Sequence, residues 1–244
     1  MIKFDWNNEN SIKILSIVLS LTCALAMCVI MIITKVMISN DAHENIITVE
    51  VANVNSAKAQ DIGSYRVEVL DYGKLSYYIK VNCENQVVTV YTMDENGEYS
   101  IPIKKMICST GIATPRHGVY EISDKYEWRS LVGNVYGQYA TRITGQILFH
   151  SVPYTRKDKS TLEYWEYDKL GQPASKGCVR LTVEDSKWIY DYCKPGTKVE
   201  FFSEGSENAT SDISPVKLSE YDDQLRGWDP TDPDENNPWL NQNK

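Results

Sequence analysis

Four of the six cysteines follow residue 34: Cys83, Cys108, Cys178 and Cys193. Cys178 has distinctive neighbours, in Ser175-Lys176-Gly177-Cys178-Val179-Arg180, because it follows a glycine and precedes a helix-start pattern by four residues. A turn feeding a helix offers backbone N–H groups to an oxyanion, and an adjacent cation such as Lys176 or Arg180 lowers a thiol pKa from its usual value of about 8.5. That environment suits a nucleophile. The competing reading is a small apolar residue packed in a sheet. A general base for such a thiol should titrate near neutral pH, which means histidine. Of three histidines, His43 falls in a polar segment and His117 in a turn, whereas His150 ends the apolar run Ile143 to His150 and is followed by Ser151. A histidine ending a strand can equally be a structural hydrogen-bonder.

The elements that must position these residues are mostly strands. Leu75 to Val81, Gln86 to Thr92, Ile101 to Thr110, Gly118 to Ile122, Ile143 to His150 and Lys198 to Phe202 have strand composition with turn residues between them. Glu84-Asn85 and Asn96-Gly97 sit where hairpins should reverse. One helix is signalled: Thr182-Val183-Glu184-Asp185 resembles a capping box, Trp188, Ile189 and Tyr192 form an apolar stripe, and Pro195-Gly196 is the stop. The expectation is a mostly β domain over 64–202, large enough to bury its own core. The charged stretch 155–171, with Tyr164 and Trp165, is either a cover for a groove or a solvated insertion. Residues 203–244 hold four of the nine prolines among Asp, Asn and Ser, and are expected to be extended or disordered.

Residues 14–34 form 21 consecutive uncharged positions, long enough for a transmembrane helix and longer than a signal-peptide core. They are expected to anchor the chain to the cell membrane, with 1–13 cytoplasmic, 35–63 a stalk and the domain outside, although the positive-inside bias is slight. The net charge of −8 arises in the tail: 203–244 carry ten acidic and three basic residues, the rest 23 and 22. A near-neutral body without a basic cluster argues against nucleic acid as a partner. Three dispersed histidines without CxxC or HExxH spacing give no metal site. Without a GxGxxG or Walker loop, neither a nucleotide nor another cofactor is implied.

In order along the chain, these pieces resemble the YkuD-type L,D-transpeptidase catalytic domain. The match comprises Ser109-Thr110-Gly111 with Thr114-Pro115-Arg116-His117-Gly118, then His150-Ser151, then Ser175 to Arg180, then Pro195-Gly196-Thr197-Lys198-Val199. Two features depart from the pattern: Lys176 replaces the histidine usual before Gly-Cys, and 28 positions separate His150 from Cys178, more than is common. The resemblance implies a YkuD-like β-sandwich with one or two short helices, following the transmembrane helix. It also implies peptidoglycan stem peptides as substrate and partner. Cys178 would form a thioester with loss of D-alanine, His150 would be the base, and Ser151 would orient it. Ser175 and Gly177 would support the oxyanion site, and Lys176 and Arg180 would contact substrate. Arg180 is alternatively a salt-bridge brace for the cysteine loop. A hydrolytic outcome, as in an L,D-carboxypeptidase or endopeptidase, and an inactive wall-binding protein are the competing functions. Cys178 is expected outside any disulfide, leaving room for at most one pair among Cys83, Cys108 and Cys193.

Overall fold

The computed structural model describes residues 72–204 and 215–241, together with the backbone of four earlier strands. The chain divides into two units, Met1–Asp71 and Tyr72–Lys244. In the first, β1 (Lys35–Ile38), β2 (Ile46–Glu50), β3 (Gln60–Ile62) and β4 (Tyr65–Val69) form a sheet in the order β1-β2-β4-β3. The segment expected to be a stalk thus carries paired strands. The expected membrane span, 14–34, lies outside the described residues.

The second unit is mostly β, with two sheets and few helices. Its five-stranded sheet has the order β7 (Tyr99–Ile107), β6 (Val87–Met93), β5 (Tyr77–Asn82), β13 (Lys198–Phe202), β8 (Gly118–Glu121). The hairpins are built by side chains that accept from the turn backbone: Asn82 Oδ1 from the N–H groups of Glu84 and Asn85, and Asp94 Oδ1 from those of Asn96 and Glu98. Gly97 supplies the positive φ that the second turn requires. In the interior strand β6, Val87, Val88, Thr89 and Val90 are buried in succession, so both of its faces are covered. Burial of each valine side chain is worth on the order of 1.5–3 kcal/mol.

The four-stranded sheet has the order β12 (Val179–Leu181), β11 (Ile147–Ser151), β10 (Val135–Thr144), β9 (Lys125–Leu131). The expected single strand Ile143 to His150 is two, because Gly145, with φ of 51°, turns the chain between β10 and β11. The sheets are linked by main-chain bonds between Ser109, just past β7, and Arg180 in β12, 2.9 Å in each direction. Helix α1 (Tyr164–Tyr167) lies in the charged insertion, and α2 (Val183–Tyr192) begins where expected, with Thr182 Oγ1 accepting from the Asp185 N–H at 3.2 Å.

The tail corrects the expectation of disorder. Residues 215–241 include α3 (Asp223–Arg226) and two 3-10 turns, and Asp229, Asp232 and Asn237 are 0–1% exposed. Leu218 packs with Tyr154, Leu162, Tyr167 and Leu170. Composition misleads because the acidic groups act as backbone acceptors rather than solvated charges. Asp222 caps α3, Asp168 receives the Leu218 and Ser219 N–H groups, and Asp229 Oδ2 receives the Val183 N–H that opens α2.

Candidate active site

Strands β11 and β12 run parallel with Phe149 beside Val179 and His150 beside Arg180. Continuing that register one step back brings Cys178 next to Leu148, and the period of two along a strand puts Cys178 and His150 on the same face. Cys178 is partly exposed; its Sγ donates to the Gln146 carbonyl at 3.4 Å in the β10–β11 turn. Among the described residues its thiol is free, as are the buried thiols of Cys83, Cys108 and Cys193.

The loop before Cys178 is held from both sides. Ser175 Oγ donates to the Cys178 carbonyl at 2.6 Å and accepts from the Gly177 N–H at 3.1 Å. Thr114 Oγ1 donates to the Gly177 carbonyl at 2.6 Å and accepts from the Gly111 N–H at 2.7 Å. A Cβ at Gly111 would lie 1.9 Å from the Ser175 carbonyl oxygen, so only glycine fits there. The Gly177 N–H is thus occupied by Ser175. Among the described residues the Cys178 N–H meets no acceptor, and it is the amide available to an oxyanion.

His150 is 2% exposed, and its Nδ1 lies 2.5 Å from the Ser151 carbonyl oxygen. A carbonyl only accepts, so Nδ1 carries the proton and Nε2 is left as the basic nitrogen. Ser151 is fixed in turn, its Oγ accepting from the Gln138 N–H and donating to the Val152 carbonyl, both at 2.9 Å. Beneath the ring lies Gly137, where a Cβ would stand 2.9 Å from Nδ1. Burial, with a smaller push from the Arg180 charge, depresses the imidazole to about 4 against the upward pull of the Ser151 bond. Burial also raises the Cys178 thiol, and the Leu148 N–H, Arg180 and Arg142 only partly oppose it. Burial thus favours a neutral thiol and a neutral imidazole, while Arg180 and Arg142 pull the thiol toward its ionised form.

Of the two cations named from the sequence, Lys176 is exposed, whereas Arg180 does lower the thiol, together with Arg142. Arg180 is paired with Glu166 of α1 and donates to the Ala174 carbonyl at 3.3 Å, which makes it the brace of the cysteine loop. Arg142 was not anticipated. It sits on β10 and donates to Asp124 Oδ2 at 2.8 Å, to Tyr126 Oη at 3.0 Å and to the Gly145 carbonyl. A lone arginine in a strand pattern gives no signal until the turn at Gly145 places it beside the cysteine. The insertion 155–171 is built into the core through Leu162, Tyr167 and Leu170, while Trp165 remains 46% exposed.

A family model of the L,D-transpeptidase catalytic domain, YkuD, matches residues 76–201, from the start of β5 to the end of β13. The chain belongs to this family, and with it to the L,D-transpeptidase class of enzymes. Over 141 residues it is 35% identical to YciB of Bacillus subtilis (strain 168), covering 54% of this chain and 69% of that protein. An L,D-transpeptidase structure from Mycobacterium smegmatis aligns with a TM-score of 0.43 at 17% identity, covering 57% of this chain and 62% of that one. A fused Zn-dependent amidase/peptidase/peptidoglycan-binding protein from Clostridium acetobutylicum ATCC 824 aligns at 0.40 and 24% identity. That alignment covers 52% of each chain, so this chain spans about half the length of that protein.

Proposed function

We propose that the chain joins peptidoglycan stem peptides by acyl transfer through Cys178, forming cross-links between two third-position residues. The carrying observation is the placement of a partly exposed Cys178 on the same sheet face as a buried His150 whose Nδ1 is held by Ser151. Family membership supports the reaction class. In the first step, Sγ attacks the carbonyl of the third residue of a donor tetrapeptide as its proton passes to His150 Nε2. The Cys178 N–H steadies the oxyanion. Collapse breaks the peptide bond, and the imidazolium returns the proton to the departing D-alanine amine, leaving a thioester on Cys178. An amine from a second stem then attacks the thioester, gives its proton to Nε2, and releases the thiol as the sulfur is reprotonated.

A neutral pair suits this sequence, because the proton moves only when the carbonyl is in place. The site belongs on the outer side of the cytoplasmic membrane, where the polymer lies. Residues 14–34 supply a single anchor on this reading. Incubating the full chain with disaccharide tetrapeptide and following products by mass spectrometry tests the proposal. A cross-linked dimer minus D-alanine is expected. A tripeptide alone would replace transfer by hydrolysis, and unchanged peptide would overturn the proposal. Cys178→Ala should abolish turnover and His150→Ala should lower it by at least about 10²-fold.

A further inference from the structure

A second group of cations lies on the sheet that carries His150. Arg129 of β9 is directly opposite Gly137 of β10 in the antiparallel register. Side chains of opposed residues leave a sheet on the same face, and at Gly137 that face holds the His150 ring, 2.9 Å from where a Cβ would stand. The Arg129 guanidinium stacks on Tyr126, 4.6 Å from the ring centroid, and Arg142 lies 5.7 Å from the same centroid. Arg142 also donates to the Gly145 carbonyl, while the next carbonyl, of Gln146, receives the Cys178 thiol. Consecutive carbonyls of one turn therefore hold the guanidinium and the sulfur. Asp124 balances part of the Arg142 charge. Arg129 meets no carboxylate among the described residues, which leaves the pair of arginines with net positive charge.

We propose that Arg129 and Arg142, which meet at the Tyr126 ring, form the subsite for a carboxylate of the donor peptide. The inference rests on the stem-peptide reading above and adds a determinant of specificity to it. A donor cut after its third residue has two candidate groups of this chemistry: an acidic side-chain terminus on that residue, and the terminal carboxylate one residue further on. Guanidinium groups bind either through paired N–H donors.

The test uses full-length protein and three disaccharide tetrapeptides: one with both carboxylates free, one amidated at the third side chain, and one amidated at the terminus. Calorimetry with the Cys178→Ala chain should show about tenfold weaker binding for one of the amidated peptides. In Cys178→Ala/Arg129→Gln that penalty should vanish, and Arg129→Lys should restore part of it. With Cys178 intact, Arg129→Gln should raise KM about tenfold for the free peptide and leave kcat within about twofold. The amidated peptide that loses affinity identifies which carboxylate is bound. Equal loss by all three peptides on Arg129→Gln, or no amidation penalty in the parent chain, would overturn the subsite. No turnover with the binding pattern intact would overturn the reaction and leave the subsite standing.

Discussion

On the proposed reading, His150 sets the chemistry at the scale of single residues. A base depressed to about 4 is neutral throughout the usual working range. The acid limb of kcat/KM should therefore fall near pH 4 rather than near the 6.5 of an ordinary imidazole, and a limb near 6.5 in a pH–rate profile would contradict a buried, neutral base. The same depression has a stability consequence. Between pH 6.5 and 4 the unfolded chain binds the proton and the folded one does not, so stability falls as pH drops through that window, by about 3 kcal/mol once pH 4 is passed. Denaturant unfolding of His150→Gln should lack that component. Gly137 is the second position where a single atom decides. Gly137→Ala would drive a methyl into the ring at 2.9 Å, and a displaced base should cost about 10²-fold in kcat with little change in KM.

The elements show what could be read in advance and what could not. The hairpins at Asn85 and Asn96-Gly97, the Thr182 cap and the strand Lys198–Phe202 were legible because each carries a local signal: a turn residue, a capping side chain or an apolar alternation. Strand β9 was not, since its alternation is only two aromatic positions long, Tyr126 and Trp128 between Lys125, Glu127 and Arg129, and none of its residues is fully buried. Cys178 and His150 stood out by their types and neighbours, whereas Arg142 and Gly137 come close to them only through strand pairing, which one-dimensional pattern does not encode. The cysteine loop depends on such pairing too. Thr114→Val would strand the Gly177 carbonyl and the Gly111 N–H, both bonded to Thr114 Oγ1. It should destabilise the domain by about 1–3 kcal/mol, measured by denaturant unfolding, and reduce turnover.

At the scale of the molecule, residues 215–241 help to build the unit that carries Cys178 and His150. Asp229 Oδ2 and Thr231 Oγ1 accept the first two N–H groups of α2, and Leu218 completes the cluster around Tyr154 and Tyr167. Removing residues 215–244 should lower Tm by several degrees and increase protease sensitivity at 155–171; an unchanged melting curve would refute a structural role for this stretch. Burial raises the Asp229 carboxyl to about 6, so between pH 3.8 and 6 it takes up a proton on folding, and the cost of burying it grows as pH rises through that window. Asp229→Asn should flatten that part of the stability profile.

The raised thiol of Cys178 has one more consequence. Peroxide and disulfide reagents react with the ionised sulfur, and a cysteine that keeps its hydrogen between turnovers presents them with little to attack. On the proposed reading, the nucleophile would thereby be preserved until a substrate arrives.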